Sequence, residues 1–349
     1  MKKTLLEKCR ILLLCMLVVM GLSACSNPRG KDGKTKLDQV IALHEVTIDK
    51  DQVNISEVSD QQLKEEVESS TETTITIAPT TWGESWKQGW FDGLIVWPIA
   101  QLINLFASFT DAGWGIILAT LVIQLLIFAL TYKSQISQQR MQEIQPEMQR
   151  LQAKYQGKND ERSKMLMAQE MQKLYDENDV HPFGSMLVMF IQLPVMMGMF
   201  YACMRAATTV YGSFMGMPLS ETPLYGFQHM QWGLISVYIL MILMSLIQLQ
   251  LPKWLNKLSN KDGKKAYQQD KQAGAMANTM NMTMYMTTAL IAFMYLSWPI
   301  AMSFYWLVSS VIRALTSILS HFISEDARAK REKELAEKRA VGVLKNRKK

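Results

Sequence analysis

The residues that usually carry covalent or metal chemistry are scattered in this chain. His44, His181, His229 and His321 fall in separate segments, with neither metal-like nor triad spacing. Cys9, Cys15, Cys25 and Cys203 build neither a zinc site nor a disulfide framework. The long apolar runs contain no paired acids. Two residues stand out instead. Cys25 follows Ala24, the small residue a signal peptidase requires, just after an apolar run. Arg313 is the one charge within the apolar run 300–319, and a charge inside hydrocarbon is costly and by default functional. The expectation is a protein that is not an enzyme, with no cofactor, no metal and no small-molecule substrate.

The elements around these residues explain an odd composition. Hydrophobic residues make up 49% of 349 positions, yet the mean hydropathy is only +0.01. Long uncharged apolar runs and long charged polar runs cancel. That pattern excludes a disordered chain and argues against an ordinary soluble enzyme.

Lys2, Lys3, Lys8 and Arg10 precede the apolar stretch 11–21, and Leu22-Ser23-Ala24-Cys25 follows. This resembles the lipobox of bacterial lipoproteins, whose cysteine takes a diacylglycerol and becomes the first residue after cleavage. Residues 1–24 read as a lipoprotein signal peptide, and an uncleaved anchor is the alternative. Residues 25–85 are rich in Ser, Thr, Asp and Glu with scattered apolar positions, and read as a mostly disordered extracytoplasmic tether. Val46, Ile48, Val53 and Ile55 offer at most a short strand.

Five stretches have the apolar length a bilayer demands: 115–132, 183–203, 232–251, 280–298 and 300–319, the fourth being marginal. Pro299 leaves room only for a tight turn between the last two. Lys and Arg number eight in 133–182, six in 252–279 and ten in 321–349, against none in 206–231. The basic segments therefore share one side, the cytoplasm, with the N-terminus outside. Trp114, Trp232 and Trp298 then fall at the outer interface. Trp82, Trp86 and Trp90 recur at helical spacing before the first span. They predict an amphipathic helix lying along the outer surface, broken or kinked at Pro98, within a segment 86–132 that ends in span one.

Residues 133–182 read as a cytoplasmic helical hairpin. Ile144, Met148, Leu151 and Tyr155 are spaced 4, 3, 4, and Met167, Met171 and Leu174 are spaced 4, 3. Gly157-Lys158-Asn159-Asp160 between them supplies a C-cap glycine and then an N-cap.

Three sets of residues together resemble one family. Thr131-Tyr132-Lys133 leading to Met141-Gln142-Glu143-Ile144-Gln145-Pro146-Glu147-Met148 is similar to the start of the hairpin in the YidC/Oxa1/Alb3 membrane protein insertases. Val180-His181-Pro182-Phe183 with Ile191-Gln192-Leu193-Pro194 resembles the family's approach to span two. Leu296-Ser297-Trp298-Pro299 with Phe304-Tyr305-Trp306 resembles its last turn. The lipobox, with no large folded extracytoplasmic domain expected, resembles the Gram-positive type.

The resemblance implies an all-α integral membrane protein, with five transmembrane helices around a hydrophilic groove and a cytoplasmic helical hairpin. It implies a plasma-membrane insertase and chaperone for nascent membrane proteins, working alone or with the Sec translocon. Spans two to five occupy 183–320, with a cytoplasmic loop at 252–279. The family's span-one arginine falls on Gln124 here, and its downstream proline on Ala129. Arg313 lies at a similar depth: both positions are roughly 12–14 Å inside the cytoplasmic edge. The expectation is that Arg313 supplies the groove's positive charge and Gln124 hydrogen-bonds beside it, the alternative being an Arg313 that snorkels to headgroups. Gln192, Ser303, Tyr305, Ser309, Ser310 and Thr316 are further polar groove candidates, each equally able to serve as helix-packing glue.

The tail 321–349 carries Arg328, Lys330, Arg331, Lys333, Lys338, Arg339, Lys345, Arg347, Lys348 and Lys349. The ribosome, through its RNA, and anionic membrane lipids are the two partners that fit. The family resemblance favours the ribosome. Six methionines in 186–204 and five in 276–286 suit either a soft surface for varied apolar segments or ordinary gap filling. A small-solute transporter or channel is the competing class, but neither inverted repeats nor broken helices are evident.

Overall fold

A computed structural model describes residues 28–58, 61–158, 160–178, 180, 182–259 and 271–347. Among the described residues helices dominate, with three two-stranded sheets beside them. The chain divides into two units: Met1–Ile116 with Met197–Ser220, and Ile117–Met196 with Glu221–Lys349.

The first unit departs from the expected disordered tether. Residues 28–58 and 61–80 fold. β1 (Thr35–Lys36), β2 (Val46–Asp49) and β3 (Val53–Asn54) precede helix α1 (Gln61–Ser69) and strand β4 (Thr74–Ile77). β1 pairs parallel with β3, and β2 pairs antiparallel with β4, Val46 opposite Ile77 and Asp49 opposite Thr74. Leu37, Val40, Ile48, Val53, Val58, Val67 and Ile75 form a buried cluster with Ala207 and Val210. The strands are only two to four residues long, and part of the core comes from over a hundred residues further on. No periodicity could therefore develop within the segment itself. The one short strand expected of Val46, Ile48, Val53 and Ile55 does not form: Val46 and Ile48 lie in β2 and Val53 in β3, each paired with a different strand, and Ile55 lies outside both.

Helix α2 (Trp82–Gln88) begins at a capping box, in which Thr81 accepts from the Glu84 backbone and the Glu84 carboxylate accepts from the Thr81 N–H. A π-turn, Asp92–Val96, runs directly into α3 (Trp97–Phe109). Pro98 therefore falls in the first turn of α3, directly after the π-turn that interrupts the α-helical pattern at the expected place. The run Asp92–Phe109 is long and apolar enough, by length and composition alone, to cross a membrane. Two residues later α4 (Ala112–Glu143) starts, with Asp111 Oδ1 accepting from the Trp114 N–H at 2.9 Å. A Cβ at Gly115 would stand 2.8 Å from both the Ile103 carbonyl oxygen and the Ala107 Cβ, so glycine allows α3 and α4 to approach.

α5 (Gln145–Tyr155) and α6 (Glu161–Glu177) form the expected hairpin. Gly157 takes φ +84°, and Asp160 caps α6 by accepting from the Ser163 N–H at 2.9 Å. Across the hairpin Lys154 Nζ meets the Glu170 carboxylate at 2.7 Å, and Tyr155 donates to it at 3.0 Å.

α7 (Pro182–Arg205) carries the second expected span, and a short α8 (Ala207–Tyr211) follows in the first unit. There β5 (Ser213–Phe214) pairs antiparallel with β6 (Met217–Pro218). After α9 (Pro223–Gln228), the helices α10 (Trp232–Ser259), α11 (Lys271–Tyr295) and α12 (Ile300–Arg347) complete the chain. Among the described residues, four stretches meet the length and hydropathy of a span: Asp92–Phe109, Ala112–Gln142, Trp232–Leu255 and Ile300–Asp326, with Met284–Tyr295 a shorter apolar helix. The fourth expected span thus ends at Tyr295, since residues 296–299 form the turn. That turn is held by Leu224 N–H to Leu296 O at 3.0 Å and Ile300 N–H to Glu221 O at 2.7 Å. The tail is not a separate element. α12 continues through it to Arg347.

Candidate functional site

Along α4, Thr120, Gln124, Ile127 and Thr131 recur at spacings 4, 3, 4, which puts them on one face, and all four are buried. On α12, Ser303, Tyr305, Ser309 and Ser310 are buried as well. Gln124, 5% exposed, donates from Nε2 to Ser309 Oγ at 3.1 Å. Fifteen residues further along α4, Gln139 Nε2 meets His321 Nδ1 of α12 at 3.5 Å, and both side chains are buried. Both contacts advance in the same direction along the two helices, so α4 and α12 run parallel with polar rungs about 20 Å apart. The hydroxyls of Ser303 and Ser310 are buried without a hydrogen-bond partner among the described residues. Apolar helices that enclose such hydroxyls leave a seam with unused hydrogen-bonding capacity, which water or a polar chain can satisfy.

The other expected groove residues separate. Gln192 reaches Tyr305 Oη at 3.5 Å, the long limit of a hydrogen bond. Thr316 donates back to the Arg313 carbonyl of its own helix at 3.0 Å. Arg313 and Gln124, expected side by side, have different partners. Arg313 Nε donates to Gln248 Oε1 of α10 at 3.4 Å, and the guanidinium carbon lies 5.1 Å from the centre of the Trp306 ring. Trp306 is in turn held by its indole N–H, which donates to Ser245 Oγ at 3.0 Å. Met241, Ser245, Gln248, Thr288, Trp306 and Arg313 line a cavity of about 180 Å³ between α10, α11 and α12. The sequence reading missed Ser245, Gln248, Gln139 and His321. Ser245 and Gln248 were detectable, as two polar residues three apart in an uncharged span.

In the first unit, the stretch around Ile41 is threaded between α3 and the end of α7. The Ile41 N–H donates to Arg205 O at 2.6 Å, and Ile41 O accepts from the Ala207 N–H at 2.8 Å and from Asn104 Nδ2 at 2.8 Å. The buried Arg205 guanidinium donates to the Asp92 carboxylate, to Gln88 Oε1 and, at 2.8 Å, to Gln39 O.

Cys25, Lys348 and Lys349 lie outside the described residues, as do the side chains of Arg328, Lys330, Arg331, Lys333, Lys338, Arg339, Lys345 and Arg347, whose backbone is helical. Among the described residues no group of His, Cys, Asp and Glu is arranged to hold a metal ion.

A helical multi-pass membrane protein with a buried polar seam is thereby defined. The 60Kd inner membrane protein family matches residues 104–326, and the chain belongs to that family, the YidC/Oxa1 family of the motifs above. It is 32% identical over 255 residues to membrane protein insertase YidC 1 of Streptococcus pyogenes serotype M6, covering 69% of this chain and 82% of that one. It is 29% identical over 248 residues to membrane protein insertase YidC 1 of Listeria monocytogenes serotype 4b, covering 70% and 76%. To membrane protein insertase YidC of Enterococcus faecalis it is 28% identical over 252 residues, covering 72% and 81%.

Proposed function

We propose that this protein inserts nascent membrane proteins into the plasma membrane and helps them fold, without covalent chemistry. The seam at Gln124 and Ser309, with the unpartnered hydroxyls of Ser303 and Ser310, carries the reading. The costly step in insertion is moving a hydrophilic segment through hydrocarbon, where each unsatisfied polar group costs several kcal/mol. A polar seam among the spans shortens that passage, while the apolar part of the substrate partitions into lipid. Gln192 and Tyr305 extend the groove in this reading.

The charge pattern supports an N-terminus outside and a tail in the cytoplasm. Cys25 would carry the diacylglycerol of a lipoprotein. The basic tail would dock on the ribosome, with anionic lipid as the competing partner. The protein would work alone or beside the Sec translocon. Depletion and rescue provide the test. In a strain depleted of its insertase, this chain is expected to restore insertion of a small single-span reporter. No restoration at normal protein level would overturn the reading.

A further inference from the structure

Helix α7 ends without a local stop signal. Arg205, Ala206, Ala207 and Thr208 include no glycine, and Ala206 turns the chain at ψ 126°. The last carbonyls of α7 and the first N–H of α8 still need partners. The turn supplies one itself, as Thr209 Oγ donates to Cys203 O at 2.7 Å. The next come from far back in the chain. Thr35 Oγ, 169 positions earlier, donates to Met204 O at 2.7 Å. Ile41 donates its N–H to Arg205 O at 2.6 Å, and its carbonyl accepts from the Ala207 N–H at 2.8 Å. Asn104 of α3 completes the corner, donating to Ile41 O at 2.8 Å and accepting from the Thr208 N–H at 3.2 Å. Thr35, Ile41, Asn104, Met204, Arg205 and Ala207 are all buried. The stretch 35–42 is thus the cap of α7, delivered by tertiary folding.

A folded segment in this place could be a swinging lid or a fixed clamp. A lid hinges at one end and is free at the other. Here both ends are fastened. Arg29 Nη2 donates to Ser220 O at 2.8 Å, and Thr80 O accepts from the Trp97 indole N–H at 2.9 Å and from Gln101 Nε2 at 3.3 Å. Gln101 Nε2 also donates to Ala42 O at 3.0 Å. Lifting the segment would uncover the enclosed Ile41 and part Arg205 from Gln39 O. A buried polar group left without its partner costs more than the bond contributed.

We propose that residues 28–58 and 61–80 are a fixed clamp that completes the C-terminal end of α7 through Thr35 and Ile41, and that the chain inserts membrane proteins only with this clamp seated. The second half rests on the insertase reading, and the first does not. The C-terminal end of α7 is then a stationary point during insertion, and the segment before the spans is a working part rather than a spacer.

The test uses the full chain, purified for amide exchange and expressed in the depletion strain with a single-span reporter. The Ala207 amide reads the clamp directly, because its acceptor is Ile41 O. Thr35→Val combined with Asn104→Leu is expected to speed Ala207 exchange about tenfold, to leave exchange in α10 unchanged, and to lower insertion severalfold at equal protein level. Thr35→Ser, which keeps the hydroxyl, is expected to match the wild type in both. If the double variant does not accumulate, Thr35→Val alone carries the comparison with smaller changes. Unchanged Ala207 exchange would overturn the cap. Faster exchange with wild-type insertion would overturn the need for a seated clamp and leave the insertase reading standing. Faster exchange with insertion above the wild type would overturn the fixed clamp in favour of a lid. A wild-type chain that inserts no reporter overturns the insertase reading and the second half of the proposal, while Ala207 exchange still decides the first.

Discussion

Trp306 and Arg313 stand two turns apart on one face of α12, with the guanidinium carbon 5.1 Å from the centre of the indole ring. The ring is fixed by Ser245, so the stack is a braced arrangement that sets the height of a charge in the bilayer. A desolvated contact of this kind contributes about 2 kcal/mol. Trp306→Leu is expected to lower stability by that order in a detergent unfolding titration. An unchanged midpoint would mean that the stack holds nothing.

Gln124 and Ser309 tie α4 to α12 inside the spans. Interhelical hydrogen bonds in membranes average only about 0.6 kcal/mol. Gln124→Ala and Ser309→Ala should each destabilise modestly, and the double variant should cost less than the sum. A double-mutant cycle measures the coupling, and strict additivity would contradict the contact.

Asp92 and Arg205 form a largely buried pair that also holds Gln39 and Gln88. Removing one partner of such a pair costs about 3–5 kcal/mol, because the other stays buried and uncompensated. Asp92→Ala should loosen the folded segment 28–80 and speed its cleavage by added protease in right-side-out membranes. Wild-type cleavage rates would count against the pair.

In the hairpin, hydrogen bonds from Lys154 and then Tyr155 hold the Glu170 carboxyl below the usual carboxylate range. A carboxyl whose folded pKa is depressed contributes stability above its unfolded pKa and loses it as pH falls through the folded one. The α5–α6 pairing should hold at neutral pH and loosen below roughly pH 4, and Glu170→Gln should remove that acid dependence. Amide exchange in α6 reads both. The group is exposed, so the effect is expected to be small.

The spans and the hairpin turn were legible because they depend on local rules: uncharged apolar length for α4, α10 and α12, and Gly157 followed by Asp160 for the turn. The segment 28–80 was not, because its strands are too short to show a period and Ala207 and Val210 complete its core from elsewhere in the chain. For Arg313, spacing along the helix yielded a depth but not an azimuth. Depth alone pairs residues at similar heights on α4 and α12, whereas Arg313 binds Gln248 of α10 and Gln124 binds Ser309.

The central claim is that the chain itself inserts membrane proteins, and purified protein in liposomes tests it most directly. A small single-span substrate synthesised beside these proteoliposomes should become membrane-integrated with its hydrophilic end protected from added protease, well above empty liposomes. Insertion no greater than into empty liposomes, with the protein shown to be folded and correctly incorporated, would contradict it.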